Sequence, residues 1–365
     1  MWSPQQTAAL KDVDKWFYQE SKKKQIFRVF GYAGTGKTTL AKHFAENIDG
    51  DVCFAAFTGK AALVLRKNGC EGARTIHSLI YIAEVDNKTG EVKWRLNKAS
   101  PLTEAALLII DECSMVDEEI AKDLMSFGKP ILVLGDPAQL PPVSGAGFFT
   151  EAKPDVMLTE IHRQAKDNPI VYLATQVRNG IFPDIGDYDD SRVLTKISSR
   201  DALEADQILV GRNITRYDMN NKVRKLLKLD PDTPVEGDKL ICLRNNKDLG
   251  IFNGGMFTTQ QILKTKYKTN FLHMRLESDD EDRPPIMVKT HKSFFMDDVA
   301  KPDWKTLKNS QELDYGYAIT CHKSQGSQWG NVLIYDESWC FRDMWQRWLY
   351  TSITRASEKI TLVKN

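Results

Sequence analysis

The sequence predicts an α/β fold: a doubly wound parallel-sheet unit over roughly residues 1–155, a second α/β unit after it, and a small all-β insertion within the second. Three observations carry this. Short apolar runs recur at 26–30, 52–57, 107–110 and 131–134, the pattern of strands buried on both faces. Segments with helix start and stop signals separate them. From 234 to 313 the alternation gives way to short strand-like runs with Asn-Gly and Gly-Gly turns and an acidic loop, ESDDED at 277–282, and then returns.

Taken in order, one helix starts at Lys37, a second runs from about Lys60 to near Gly69, and a third starts near Asp117 with acids in its first turn and stops at Gly128. Residues 81–96, YIAEVDNKTGEVKWRL, break the alternation: two alternating arms flank Asn87 to Gly90, a β-hairpin standing off the sheet. Such a hairpin can equally be surface decoration. In the second unit Asn168-Pro169 opens a helix that Gly180 closes, Asn at the N-cap, Pro at N1 and Gly at C′. Gln207–Val210 reads as a strand and 215–229 as a basic helix ended before Pro231. Parallel strands are expected again at 317–320, 331–335 and 360–363, with a helix around Trp345–Ile353.

Composition excludes several classes. Of 365 residues 42% are apolar and 27% charged, which rules out a mainly disordered or collagen-like chain. The 50 Lys and Arg against 49 Asp and Glu leave a net charge of +1, unlike a polybasic binder. The six cysteines, Cys53, Cys70, Cys113, Cys242, Cys321 and Cys340, form no CxxC pair, which argues against a zinc ribbon or thioredoxin-type site and for free thiols in a reducing cytosol. The N-terminus, MWSPQQTAAL, carries no secretory signal, and the longest apolar runs, such as 105–110, fall far short of the ~20 residues that span a bilayer, so a cytoplasmic protein with no membrane partner is expected.

Residues 31–38 read GYAGTGKT, a full match to GxxxxGK[ST] after a predicted strand and at the start of a helix. The glycines let the backbone curl so that its N–H groups face phosphates, and the helix N-terminus adds positive potential. Gly34, Thr35, Gly36, Lys37, Thr38 and Thr39 are the expected cradle, with Lys37 on the β/γ-phosphates and Thr38 on Mg²⁺. Asp111-Glu112 follow a predicted strand; Asp111 is placed to hold Mg²⁺ and Glu112 to orient and deprotonate an attacking water. Such an acidic pair is a weak signal alone and a strong one beside a phosphate loop. Gln139, in LGDPAQLPPV at 134–143, is a candidate γ-phosphate sensor. Arg163 in LTEIHRQ and Arg355 in YTSITRA are candidates to stabilise charge on a transferring phosphoryl group, although a single arginine is more often a surface or ion-pair residue.

Eight motifs occur in order: GYAGTGKT, FTGKAA at 57–62, TIHSL at 75–79, DECSM at 111–115, LGDPAQLPPV, LTEIHRQ at 158–164, TCHKSQGSQW at 320–329 and YTSITRA at 350–356. Together they resemble the superfamily 1 helicases of the B, or RecD-like, subgroup, most of all its small phage members, over nearly the whole chain. The resemblance implies two RecA-like P-loop motor domains with ATP and Mg²⁺ between them. The first covers 1–155 with a β-hairpin insert at 81–96; the second covers 156–233 and 314–365, with an SH3-like β-rich insert at 234–313. It implies ATP-dependent 5′-to-3′ translocation on single-stranded DNA with duplex unwinding. Gln6 matches the adenine-reading glutamine of the family. Thr58, Lys60, Thr75, His77, Thr320, His322 and Lys323 fall on motifs that hold the strand; each is otherwise a polar residue that caps or braces its own domain. The hairpin sits where the family places its strand-separating pin, with Trp94 as a wedge or as a packing residue. Implied partners are single-stranded DNA, single/double-strand junctions and a single-strand-binding or replisome protein, with the chain a monomer. The additional N-terminal domain of the RecD subunit is missing, so a subunit role in a recombination complex is not expected.

Residues alone leave two other readings open: a viral-type superfamily 1 RNA helicase, and an ATP-switched module that binds single strands or displaces proteins without unwinding. Charge by segment bears on the partner. Residues 60–98 hold eight bases against four acids and 212–228 six against one, whereas 184–206 hold seven acids against three bases. A neutral total therefore conceals a segregated field suited to a polyanion.

Overall fold

The computed structural model describes residues 2–85, 92–141, 147–161, 167–246, 249–251, 253–264, 269–279, 283–296, 302–307 and 310–365. The first half forms strands β1 (Ile26–Gly31), β2 (Val52–Ala56), β3 (Arg74–Thr75), β4 (Tyr81–Val85), β5 (Val92–Leu96), β6 (Leu107–Asp111), β7 (Ile131–Gly135) and β8 (Val156–Leu158). Six of them make one parallel sheet in the order β3-β2-β6-β7-β1-β8. The sheet thus takes in residues just past the expected boundary near 155.

The apolar runs are explained by helices on both faces. Alternate residues of the strands face opposite ways: Phe27, Val29, Leu107, Ile109, Leu132 and Leu134 pack with α1 (Pro4–Lys15), α2 (Lys37–Glu46) and α3 (Gly59–Lys67). Their neighbours Ile26, Phe30, Leu108, Ile110, Ile131 and Val133 pack with α4 (Ile76–Ile80) and α5 (Glu118–Ser126). Most positions are buried on one side or the other, with Arg28 of β1 half-buried, so no polar alternation remains. The two arms at 81–96 form a separate antiparallel pair, β4 with β5, registered Tyr81 on Leu96 and Val85 on Val92. Its base is tied to α5 by the Tyr81 hydroxyl, which donates to Asp123.

After α6 (Pro169–Arg178) come β9 (Gly186–Tyr188), β10 (Ser191–Leu194) and β11 (Gln207–Val210), then α7 (Asn213–Leu226). β12 (Lys239–Cys242), β13 (Met256–Leu263), β14 (Phe271–Ser278), β15 (Ile286–His291) and β16 (Leu313–Tyr315) form an antiparallel sheet in the order β15-β14-β13-β12-β16. β17 (Ala318–Thr320), β18 (Trp329–Tyr335), α8 (Trp345–Ile353) and β19 (Ala356–Val363) complete the second large sheet, ordered β17-β11-β18-β19-β10-β9. It is parallel except for the β9–β10 edge, which the sequence pattern did not announce.

Helix α7 starts two residues before the expected 215 and stops three before 229. The Glu337 carboxylate, fully buried, accepts from the N–H groups of Gly211 and Arg212, just before the helix, and from the Thr215 hydroxyl in its first turn, where the helix dipole favours a negative charge. Three of the six bases of this region are paired with carboxylates, while Lys222, Lys225 and Lys228 stay exposed. Arg212 pairs with Glu337 at 2.7 Å, Arg216 with Asp314 at 2.6 Å, and Arg224 with Asp238, both side chains fully buried. Asp238 also accepts from the Tyr317 hydroxyl at 2.7 Å, and the Arg224 guanidinium stacks on Tyr315 at 4.0 Å. Asp238→Ala is expected to destabilise the protein by about 3–5 kcal/mol, because it strands a buried guanidinium. Urea unfolding measures this; a loss under ~1 kcal/mol would show that water reaches Arg224.

Among the described residues no helix is long and apolar enough to cross a membrane, and all six cysteines are free thiols, four of them buried.

Candidate functional site

β1 ends at Gly31, where a Cβ would lie 2.6 Å from Thr35 Oγ1 and 2.8 Å from Leu158 Cβ; only glycine fits there. Gly34 and Gly36 take φ of 76° and 77°, the left-handed region in which glycine carries no steric cost. Helix α2 then starts at Lys37 without a side-chain cap, whereas α1, α3, α5 and α6 are capped by Ser3, Thr58, Asp117 and Asn168. The first amides of α2 are left for an acceptor from outside the chain, and the helix dipole favours an anion. Lys37 Nζ donates to the carbonyls of Gly31 (2.7 Å) and Tyr32 (3.1 Å), which holds the ammonium over the loop. Thr35 is buried and Thr39 exposed.

Gln6 lies under this loop. Its amide oxygen accepts from Ser3 N–H at 3.0 Å in a capping box, and its nitrogen donates to the Thr35 carbonyl at 3.0 Å. The residue is buried, and its position beside Gly36 is so close that a Cβ there would stand 2.8 Å from Gln6 Nε2.

Strand β7 lies between β1 and β6, so three carboxylates collect beside the loop at the strand ends. Thr38 Oγ1 donates to Asp111 Oδ2 at 2.7 Å, and Asp111 Oδ1 accepts from Glu112 N–H at 2.8 Å. Burial holds the Asp111 carboxyl above its ordinary pKa, with the Glu112 charge adding; the Thr38 hydroxyl and Lys37 oppose the shift. Asp136 is likewise raised by burial, against Lys37 and a hydrogen bond from Tyr350. A cation held near these two carboxylates would favour their charged forms. Among the described residues no group of three or more His, Cys, Asp or Glu forms a metal cage. A hydroxyl next to a carboxylate suits a hard ion that takes its other ligands from phosphate and water, as Mg²⁺ does.

Glu112 itself has φ 52°, a left-handed conformation that costs a non-glycine residue about 1–3 kcal/mol and that clusters at functional sites. Its carboxylate meets Gln139, the latter from the loop after β7. With the Gln139 amide oriented to satisfy both ends, its nitrogen donates to Glu112 Oε2 at 3.2 Å and its oxygen accepts from Arg355 Nη2 at 3.2 Å. Arg355 stands between α8 and β19, is almost fully buried, and is fixed by the carbonyls of Thr351 (3.1 Å) and Ser327 (3.2 Å). Its Nη2 lies 3.8 Å from Glu112 Oε1. The two sheets therefore meet on Glu112. Arg163 lies outside the described residues.

The residues expected to hold a strand are spread over both sheets. Thr58 caps α3 through Ala61 N–H and donates across to the Gly326 carbonyl at 3.3 Å. Lys60 Nζ sits 3.8 Å from the centre of the Trp329 ring and lines a cavity of about 350 Å³ between α3, the second sheet and the antiparallel sheet. Thr75 caps α4, and the His77 ring lies between Phe57 (5.8 Å) and Tyr81 (5.7 Å). Thr320 ends β17 and is buried. His322 faces Phe341 at 5.7 Å, with its pKa lowered by burial. Lys323 donates to Asn253, in the turn between β12 and β13, at 2.8 Å, and burial, then Arg216, lowers its pKa. Trp94 is half-buried on β5, opposite Ala83.

Sequence reasoning passed over Asp136 and the loop contacts around it. Leu140 N–H donates to Thr351 Oγ1 at 2.7 Å, and Gln325 Nε2 donates to the Leu140 carbonyl. The signal for Asp136 was present: LGD after an apolar run is the same pattern as the LIID that marked Asp111.

A family model described as an AAA domain matches residues 2–199, more than half of the chain, and one described as a UvrD-like helicase C-terminal domain matches 315–363. The chain is 28% identical over 360 residues to the ATP-dependent RecD2 DNA helicase of Deinococcus radiodurans, covering 90% of this chain and 45% of that one. It is 35% identical over 173 residues to the ATP-dependent DNA helicase dda of Enterobacteria phage T4, covering 43% of this chain and 39% of that one. Likeness to that phage enzyme is thus partial, where nearly the whole chain was expected to share it. The chain spans less than half the length of either curated relative. The crystal structure of a Bacteroides Pif1 helicase in complex with ADP-AlF3 and single-stranded DNA has the same fold, with a TM-score of 0.54 at 19% identity over 97% of this chain and 91% of that one. With one model covering the half that carries the phosphate loop, a helicase model covering the last strands, and RecD2 aligned along nine-tenths of the chain, the protein belongs to the superfamily 1B helicases.

Proposed function

We propose that the chain is an ATP-dependent DNA helicase that translocates 5′ to 3′ on single-stranded DNA and unwinds duplex. The observation that carries this is the meeting of Gln139 from the first sheet and Arg355 from the second on Glu112, beside the phosphate loop. A hydrolytic centre completed by two sheets is sensitive to their separation, which is what a motor requires. The relatives RecD2 and dda, named as ATP-dependent DNA helicases, support the same reading.

In this proposal Gln6 reads adenine, the loop from Gly34 to Thr39 cradles the phosphates, and Lys37 bridges β and γ. Thr38 and Asp111 hold Mg²⁺, which neutralises phosphate charge when bound. Glu112 accepts a proton from water as the water oxygen bonds to the γ-phosphorus and the bond to the ADP oxygen breaks. Gln139 senses the γ-phosphate, and Arg355 with Arg163 stabilises the charge that spreads over the transferring group. The first motor domain runs from the N-terminal helix through β8 at 158, the second is 159–233 with 316–365, and the antiparallel unit between them, through β16, is an SH3-like insert. Thr58, Lys60, Thr75, His77, Thr320, His322 and Lys323 contact the strand, and the β4–β5 pair, with Trp94, separates it at the junction. Phosphate contacts of this kind make the enzyme indifferent to base sequence. A single-strand-binding or replisome protein is a further partner of a monomeric helicase.

The deciding experiment compares duplexes with a 5′ or a 3′ single-stranded tail, in DNA and in RNA. Unwinding of 5′-tailed DNA alone is the expected result. Unwinding from 3′ tails reverses the polarity, an RNA preference favours the RNA helicase, and ATP hydrolysis without any unwinding favours the displacing module.

A further inference from the structure

The second sheet's helices reach the phosphate loop at two successive residues. Tyr350, on α8 and 1% exposed, accepts a hydrogen bond from Ala33 N–H at 2.8 Å and donates its own proton to Asp136 Oδ2 at 2.6 Å. Arg178, the last residue of α6, places its guanidinium carbon 3.7 Å from the centre of the Tyr32 ring. Helices α6 and α8 share one core, in which Leu173 and Val177 pack with Trp348, Leu349 and Ile353, so these two contacts move as one body. The same body holds the loop after β7 through Thr351 and Gln325 on Leu140.

We propose that Tyr350 and Arg178 are positioning residues that set the shape of the phosphate loop according to where the second sheet stands. The hydroxyl is well suited to this. Its single proton is committed to Asp136, so the lone pair that meets Ala33 has a fixed direction. Burial and the Asp136 charge keep its pKa well above the ordinary phenol value, so it stays a donor at any working pH. Tyr32 and Ala33 open the turn whose later residues, Gly34 to Lys37, face the phosphates. A displacement of α6 and α8 therefore draws on the front of that turn through one hydrogen bond and one stacked cation. Arg355 acts on the reacting phosphate itself; Tyr350 and Arg178 act through the loop.

The inference rests on the reading of the chain as a strand-driven ATPase, and the test separates the two. ATP hydrolysis is measured with and without saturating oligothymidylate for the wild type, Tyr350→Phe, Arg178→Ala, Tyr32→Ala and the Arg178→Ala/Tyr32→Ala pair, alongside thermal unfolding midpoints. In Tyr350→Phe and in Arg178→Ala the ratio of stimulated to unstimulated rate is expected to fall about fivefold or more, the lower range of allosteric coupling. The double variant should fall no further than either single one. A Tyr350→Phe protein that keeps the wild-type ratio overturns the inference, as does one that loses both rates equally, since a merely structural role does that. A wild type that strand does not stimulate overturns the functional reading instead.

Discussion

Replacing Arg355 with Ala is expected to lower the turnover of ATP hydrolysis about 10³-fold or more, with nucleotide affinity changed only a few-fold. Arginines that meet a transferring phosphoryl group contribute about 10³–10⁵ to turnover, because the charge they stabilise exists fully only at the transition state. Arg355 is pre-set for this role: two carbonyls and the Gln139 amide fix its fork, and little reorganisation remains when the cleft closes. Its removal leaves the Thr351 and Ser327 carbonyls without that donor, so some loss of thermal stability accompanies it. Arg355→Lys separates the effects. It keeps the charge but not the planar fork, and most of the rate should still be lost. Steady-state hydrolysis with nucleotide titrations checks both; a loss under tenfold in Arg355→Ala would remove the residue from the reaction.

Lys37→Ala is expected to reduce strand-stimulated hydrolysis about 10²–10³-fold, the range for deleting one preorganised donor to developing charge, and to weaken nucleotide binding as well. The double effect follows from geometry. The ammonium already bonds to the carbonyls of Gly31 and Tyr32, so it organises the loop before it meets phosphate. Hydrolysis at the wild-type rate would exclude residues 31–38 as the catalytic phosphate site. Titration with a fluorescent ATP analogue gives the binding component.

Much of the frame was legible because its signals are local. A strand covered on both faces must be apolar along most of its length, so the runs at 26–30, 107–110 and 131–134 declared themselves, and Gly31 with Lys37 declared the turn between. What was not legible depends on partners distant in the chain. The basic segment 212–228 suggested a surface for a polyanion, yet Arg212, Arg216 and Arg224 pair with Glu337, Asp314 and Asp238. Asp314 and Glu337 lie outside every segment whose charge was counted, so no local count could register the cancellation. Lys60 carries the same lesson: its ammonium stacks on Trp329, a residue of another sheet. Thr58 and Thr75 do cap their own helices, as their bland reading required, and Thr58 additionally bonds across to Gly326.

The antiparallel sheet has one property that reaches beyond this chain. Polypeptide enters it through β12 and leaves through β16, and those two strands are hydrogen-bonded neighbours, Leu240 opposite Tyr315 and Cys242 opposite Leu313. Doorway and exit are thus about 5 Å apart, whatever lies between them. Such an arrangement is a socket. A change of length in the distal turns leaves both ends in register, whereas Met256 packs into the second core and Asn253 accepts from Lys323, so the exchangeable part of the module is the part beyond those two contacts.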